Sequence, residues 1–359
     1  MTTLASVLAF LIALVGCGAA RDFALRRRLV QEPNERSLHA SPVPRLGGVA
    51  VVLAVLAASA LLVALGPAAG SPPSRRGLTS WLVCAVPVAL LGLIDDLRPL
   101  PVRLRLAVQI VVASGFCLLV DLPAHVLLAG GLAAALPAGV TLALGVVWIV
   151  GVLNLTNFMD GMDGLAGLQA VGFGVGAGSA FAAAGHQDLA GIAAVLGAAN
   201  LGFFLHNAPP ARIFMGDAGS TFLGFSFGAL PILATARDAA TPFLVGPVVL
   251  APFLLDGTFT LVRRALSRER VWRAHRTHLY QRAVLSGLAH RDVLLRYGAW
   301  MGVSAGAASA LPSLGPAPSL GLAALMATSV VPVVLWVRSA EHAEASRSRA
   351  GRSERPLGP

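Results

Sequence analysis

The stretch Asn154-Leu155-Thr156-Asn157-Phe158-Met159-Asp160-Gly161-Met162-Asp163-Gly164 ends a long apolar run with two carboxylates and two amides. Further polar clusters stand between other apolar runs. They are Pro33-Asn34-Glu35-Arg36-Ser37-Leu38-His39 with Pro44-Arg45-Leu46-Gly47-Gly48, then Asp95-Asp96, then Arg212 to Ser220 around Met215-Gly216-Asp217, and finally His275-Arg276-Thr277-His278. An acid at membrane depth is costly, so each marks a candidate functional site. Asp95, Asp96, Asp160, Asp163 and Asp217 offer the hard oxygens that Mg²⁺ takes together with water and substrate phosphates. The scarcity of histidine and cysteine beside them argues against zinc. Arg45, Arg105, Arg212 and Arg276 add the forked N–H donors that phosphate oxygens favour. Acids for a metal and arginines for phosphate, set beside a membrane, point to phosphoryl transfer on a lipid, chemistry in which a protein mainly positions reactants and neutralises charge.

Plainer readings stand beside this one. A single aspartate can be a solvated loop end paired with a local arginine, and a single arginine can read an anionic headgroup. Neither accounts for five acids gathered beside glycine turns. On a helix, Asp160 and Asp163 would share a face, as would His275 and His278.

The elements that must position these groups are membrane spans. Hydrophobic residues make up 56% of the 359 and charged residues only 12%, against about 25% charged in soluble domains. Runs long enough to cross a bilayer fall near 4–20, 46–66, 80–95, 103–121, 138–156, 165–184, 189–206, 219–236, 241–261, 293–311 and 320–338. The expectation is an all-α integral membrane protein, a polytopic bundle of about 10–11 transmembrane helices with cytoplasmic active-site loops. Residues 1–340 form one domain, and 341–359, rich in Arg, Ser and Glu, are read as a disordered cytoplasmic tail. No internal repeat is visible.

All 27 Lys-or-Arg positions are arginine, and they cluster at alternate loops. That pattern fits the positive-inside rule and not a nucleic-acid footprint, which needs a continuous basic face. It places every polar cluster named above on the cytoplasmic side. Arg75, Arg76 and Arg237 fall outside as exceptions, and 122–137, bounded by Pro123 and Pro137, is read as an external or re-entrant loop. Cys17, Cys84 and Cys117 lie in apolar runs as small buried hydrophobes and make no disulfide framework. Residues 14–17 look like a lipoprotein processing site, but no basic residue precedes the apolar run, so a first span is the better reading.

In order and spacing, the clusters resemble the polyprenyl-phosphate N-acetylhexosamine-1-phosphate transferases, the MraY and WecA group of glycosyltransferase family 4. The likeness covers residues 33 to about 292: P-N-E-R-S-L-H and P-R-L-G-G, I-D-D, N-L-T-N-F-M-D-G-M-D-G-L-A-G, R-I-F-M-G-D-A-G-S and H-R-T-H-L-Y-Q. The resemblance implies that a polyprenyl phosphate attacks the β-phosphate of a UDP-N-acetylhexosamine, with Mg²⁺ or Mn²⁺ as cofactor, on the inner membrane of a bacterial cell. It implies catalytic roles for Asp95, Asp96, Asp217 and His278. Metal handling falls to Asp217, Asp95, Asp96 and Asn157, and substrate binding to Arg45, Asn157, Asp160, Asp163, Arg212, His275 and Arg276. The expected partners are the lipid phosphate, the nucleotide sugar and the membrane, with a homodimer allowed and nucleic acid excluded.

Two departures narrow the likeness. Arg212 stands where a lysine often precedes the M-G-D turn, and the histidine loop lacks the triple histidine of the peptidoglycan-precursor enzymes. With Asn207-Ala208-Pro209-Pro210-Ala211, this resembles the branch that starts O-antigen glycans from UDP-GlcNAc or a 6-deoxy analogue. Two rivals use membrane aspartates differently. An aspartyl intramembrane protease carries G-x-G-D, whereas this chain has Met215-Gly216-Asp217 without the earlier glycine. A secondary transporter holds its acids near mid-bilayer, where only Asp256 lies inside a run, read here as support for the site.

Overall fold

The computed structural model describes residues 1–31, 42–65, 72–122, 125–129, 132–237, 243–270 and 275–353, so the Pro33–His39 motif lies outside the described residues. The helices are α1 (Thr2–Arg27), α2 (Gly47–Leu65), α3 (Pro72–Leu97), α4 (Val102–Leu119), α5 (Ala138–Met159), α6 (Leu165–Ala183) and α7 (Gln187–Asn207), followed by α8 (Gly216–Arg237), α9 (Val245–Val249), α10 (Ala251–Leu266), α11 (Leu279–Leu285), α12 (His290–Ala310), α13 (Pro316–Thr328) and α14 (Val330–Ser353). Two short antiparallel ribbons complete the chain: β1 (Val30–Gln31) with β2 (Val43–Pro44), and β3 (His125–Ala129) with β4 (Leu132–Ala135). The molecule is an all-α polytopic membrane protein. Among the described residues nine helical stretches are long and apolar enough to cross a bilayer: α1, α2, Arg76–Leu97 of α3, α4 to α8, and Ala317–Ser346 over α13 and α14.

Two of the eleven expected runs do not qualify. The run 241–261 is broken into α9 and α10 at Leu250, just before Pro252, and its longer piece has 16 residues. Proline lacks the N–H that would continue the helix and crowds the preceding turn. The run 293–311 belongs to α12, whose first turns carry Arg291, Asp292 and Arg296 and leave too short an apolar remainder. The run 122–137 holds the β3–β4 ribbon and does not cross as a helix. α14 runs on as helix to Ser353, into the stretch read above as a tail. Its Glu341 accepts a two-pronged bond from Arg282 of α11, at 2.8 and 2.7 Å. That pairing gives a charged segment an internal partner that its composition alone could not reveal.

α8 is the axis of the bundle. Its membrane-length window is wholly buried, yet it is the least apolar of the nine, since a helix that meets no lipid does not need a greasy surface. Its neighbours reach it through glycine. A Cβ on Gly92 of α3 would lie 2.2 Å from the Asp217 carbonyl, and one on Gly224 of α8 would lie 2.6 Å from the Leu153 Cα of α5. Small residues let helix backbones approach where lipid provides no hydrophobic driving force. Two of the three charge exceptions are neutralised at the opposite end of the bundle. Arg237 pairs with Asp188 at 2.6 Å, and Arg76 with Asp121 at 3.4 Å.

Candidate active site

The site is built on the first turn of α8. Gly216 has φ +75°, a left-handed conformation that a side chain resists, and a Cβ there would sit 2.8 Å from Asp96 Oδ2. The turn therefore delivers two N–H groups to Asp96. Asp217 N–H donates to its Oδ1 and Ala218 N–H to its Oδ2, each at 3.0 Å. A carboxylate is favourable there because a helix N-terminus has unsatisfied N–H groups and a positive dipole end. The P-R-L-G-G segment is stitched to the same turn. Phe214 N–H donates to the Pro44 carbonyl at 2.7 Å, and Gly47 and Gly48 donate to the Phe214 and Met215 carbonyls at 3.0 and 2.8 Å. Arg45, carried on that segment, donates to the Asp96 backbone carbonyl.

Asp95, at the end of α3, accepts the Leu100 N–H at 2.6 Å and a close ion pair from Arg105 near the start of α4. The same guanidinium lies 3.5 Å from Asp217 Oδ2. Asn157, on the last turn of α5, donates to Asp217 Oδ1 at 3.0 Å and to Ser220 Oγ at 2.9 Å. Asp160 caps that helix. Removal from water, and after it the charges of Asp217 and Asp96, hold the Asp160 carboxyl well above the usual carboxylate range. Asp163 is used otherwise. It accepts the Ala211 N–H at 3.0 Å and lies 3.4 Å from His290 Nδ1, while Asn207 accepts the Gly164 N–H and donates to the Ile213 carbonyl, both at 2.8 Å. These bonds lock the chain between α5 and α6 to the loop ahead of α8.

The histidine loop closes the far wall. Tyr280 donates its hydroxyl to the Phe158 carbonyl at 3.1 Å, and a Cβ on Gly161 would stand 2.2 Å from that oxygen. His275 and His278 stack with ring centroids 5.0 Å apart. His278 is buried and His275 is half-buried. His275 Nδ1 accepts the Thr277 N–H at 3.4 Å, so in the neutral ring the proton sits on Nε2 as a donor. Burial first, then His278 and the arginines at 264 and 263, push His275 down to about 4, which keeps the ring neutral at pH 7.

Asp95, Asp96, Asn157, Asp160, Asp217 and Arg45 thus meet at one end of the bundle, with the histidines opposite. Asp163 is near but acts as a clamp. Arg212 is exposed and donates to the Leu205 carbonyl at 3.3 Å, and Arg276 is exposed beside His275. His278, expected as a catalytic group, is 2% exposed, so His275 is the more open ring. Asp95 and Asp96, expected to handle metal, have all four carboxylate oxygens engaged by protein donors. Asp217 has one hydrogen bond, from Asn157, and the Arg105 guanidinium at 3.5 Å, and with Asp160 and the Asn157 amide it supplies hard donors beside that engaged pair. The raised Asp160 registers the surplus negative charge, so a divalent cation of the Mg²⁺ type fits this donor chemistry. Among the described residues no three His, Cys, Asp or Glu side chains already converge on a point, so such an ion would complete its shell with water and phosphate oxygens. Ser220, Tyr280 and Asn207 stand within the quoted motifs, but the sequence assigns them no individual role. Ser220 lies three residues after Asp217 on the same helical face, and Asn207 sits just before Pro209-Pro210, where an amide commonly holds a turn.

Comparison with known proteins adds the following. Residues 78–235 match the model of glycosyl transferase family 4. A probable undecaprenyl-phosphate N-acetylglucosaminyl 1-phosphate transferase of Bacillus subtilis is 30% identical over 82% of this chain and 80% of its own. The decaprenyl-phosphate N-acetylglucosaminephosphotransferase of Mycobacterium tuberculosis is 31% identical over 86% and 82%. A phospho-N-acetylmuramoyl-pentapeptide-transferase of Synechococcus is 32% identical over 70% of each.

Proposed function

The chain belongs to glycosyl transferase family 4, and on that premise we propose that it transfers N-acetylhexosamine-1-phosphate from a UDP-N-acetylhexosamine to a polyprenyl phosphate, releasing UMP. An oxygen of the lipid phosphate attacks the sugar-bearing phosphorus. The bridging P–O bond breaks, and its electron pair leaves with UMP. A phosphate monoester, with its second pKa near 6, is largely ionised at pH 7, so the attack needs no general base. UDP-N-acetylglucosamine is the donor carried over from the relatives' names, and the 6-deoxy analogue is the comparison donor.

The observation that carries this reading is the meeting of Asp96, Asp217 and Asn157 at the first turn of α8, with Arg105 and Arg45 beside them. Asp217, Asp160 and Asn157 would hold the Mg²⁺, or Mn²⁺, and that ion would supply positive charge for the diphosphate when bound. Arg105 and Arg45 neutralise phosphate oxygens, and the His275 Nε2–H donates to an anionic oxygen. Asp163 acts on the nucleotide side by fixing the loop that ends in Met215. Exposed Arg212 and Arg276 draw anionic substrate to the mouth. The arginine clusters between the apolar runs support a site on the cytoplasmic face of a bacterial inner membrane, with Arg75, Arg76 and Arg237 as exceptions to that bias.

The test is UMP release from a panel of UDP-N-acetylhexosamines with polyprenyl phosphate, in detergent or lipid discs. Mg²⁺-dependent release that a chelator abolishes and fresh Mg²⁺ restores supports the reading. Absence of release with every donor would overturn it.

A further inference from the structure

Asp256, read from the sequence only as support for the site, is fully buried in α10, and none of the contacts described above involves it. Its Oδ1 accepts the Leu279 N–H at 2.8 Å and the Thr260 hydroxyl at 3.2 Å. Its Oδ2 accepts the Tyr280 N–H at 3.2 Å and the Tyr297 hydroxyl at 2.6 Å. His278 Nδ1 lies 3.4 Å from Oδ1. One carboxylate therefore ties together α10, the first turn of α11 and α12. A lone acid in such a place would be expelled or neutralised, so it persists because donors surround it.

Two backbone N–H groups, which can only donate, and the hydroxyls of Thr260 and Tyr297 are directed at the Asp256 oxygens, two to each, an arrangement that suits the carboxylate. His278 Nδ1 is buried without a well-aligned hydrogen-bond partner, and with an acceptor-only carboxylate oxygen 3.4 Å away a hydrogen on that nitrogen is favoured over a lone pair facing the anion. His278 stacks on the half-buried His275, and the Tyr280 hydroxyl reaches the carbonyl of Phe158, next to Asn157. Two routes thus run from Asp256 to the reaction space, one through the imidazole pair and one through Tyr280.

We propose that Asp256 is a positioning residue that fixes His278 as its Nδ1–H form and, through the stacked rings and Tyr280, sets the distance between the histidine loop and the end of α5. This rests on the function proposed above for the direction of its effect, but not for the geometry. Loss of the charge leaves the N–H groups of residues 279 and 280 without their anion and frees the ring to turn. A misplacement on the scale of 1 Å in a group facing the reaction costs roughly 10²-fold in rate.

Two measurements on the full chain in lipid discs decide it. In the first, ¹⁵N-histidine NMR reads the His278 ring, assigned by the signal that His278→Gln removes. The expected result is a protonated Nδ1 in the wild type and a shift toward the other tautomer in Asp256→Asn. An unprotonated Nδ1 in the wild type overturns the proposal, whatever reaction the protein performs. In the second, UMP release is measured for Asp256→Asn, His278→Gln and the double variant. Asp256→Asn should lower kcat roughly 10²-fold with KM held, and the double variant should be no worse than the worse single. Losses that add in full overturn the proposal, since a purely structural role is independent of the ring. Should Asp256→Asn fail to fold, Tyr297→Phe removes one donor and keeps the charge, and a loss of activity that His278→Gln does not deepen replaces the cycle. A wild type that shows the Nδ1–H ring but releases no UMP overturns the function proposed above and leaves the role of Asp256 standing.

Discussion

Around Asp217, four carboxylates (Asp95, Asp96, Asp160 and Asp217) face the guanidinium groups of Arg45 and Arg105, whereas around Asp256 a single carboxylate meets four hydrogen-bond donors and an imidazole. Both regions sit at the same end of the bundle, and both place aspartate on an apolar helix. The difference lies in compensation. The first region retains surplus negative charge at the mouth, where a cation and a phosphate can enter and be stabilised. The second is buried, with donors on both carboxylate oxygens, and its charge holds a loop. An acid in a membrane protein is therefore assigned to chemistry or to architecture by counting its donors, not by its depth.

The sharpest way to break this comparison is at Asp217. Asp217→Asn keeps the shape and the bond to Asn157 within reach, so expression should be retained while UMP release falls by about 10³-fold. Activity that persists would remove Asp217 from the metal-binding group. A packing test comes next. Gly92→Ala sets a Cβ 2.2 Å from the Asp217 carbonyl and must push α3 from α8, whereas Gly151→Ala meets open space. The first should lower kcat by about 10²-fold. The second should leave both activity and melting temperature unchanged, and equal effects would refute the role of the α3–α8 approach.

His275→Gln should have a smaller effect, about tenfold on UMP release, and the same at pH 6 as at pH 8, because the ring held down to about 4 is neutral across that window. The sign for stability follows from the same shift. The unfolded chain takes up the proton first, so this group's contribution is intact above about pH 6.5 and is lost as pH falls toward about 4. Wild-type melting should drop over that range more than that of His275→Gln, and parallel curves would refute it. The weakest effect belongs to the partly exposed Arg282–Glu341 pair between α11 and α14. Glu341→Gln should cost less than about 1 kcal/mol in a melting experiment and leave UMP release within about threefold.

Much of this was legible along the chain. Apolar runs of bilayer length gave most of the helices, because hydrophobic length is a local property, and the ordered motifs with their glycines gave the family. Gly216 stands where the chain must turn left-handed. The long run 241–261 misled because its apolar count hides the break at Leu250. The pairing of Glu341 is not legible either, because its partner lies 59 residues away at Arg282. The sequence by itself determined that this is a membrane bundle with acids, amides and arginines gathered between spans, since composition and spacing suffice for that. Only the tertiary structure decided which acids are free to act. Whether Asp96, Asp163 and Asp256 are satisfied depends on N–H groups delivered by distant parts of the chain, from the helix starts at Asp217 and Leu279 and the loop at Ala211, and no local pattern records where those segments meet.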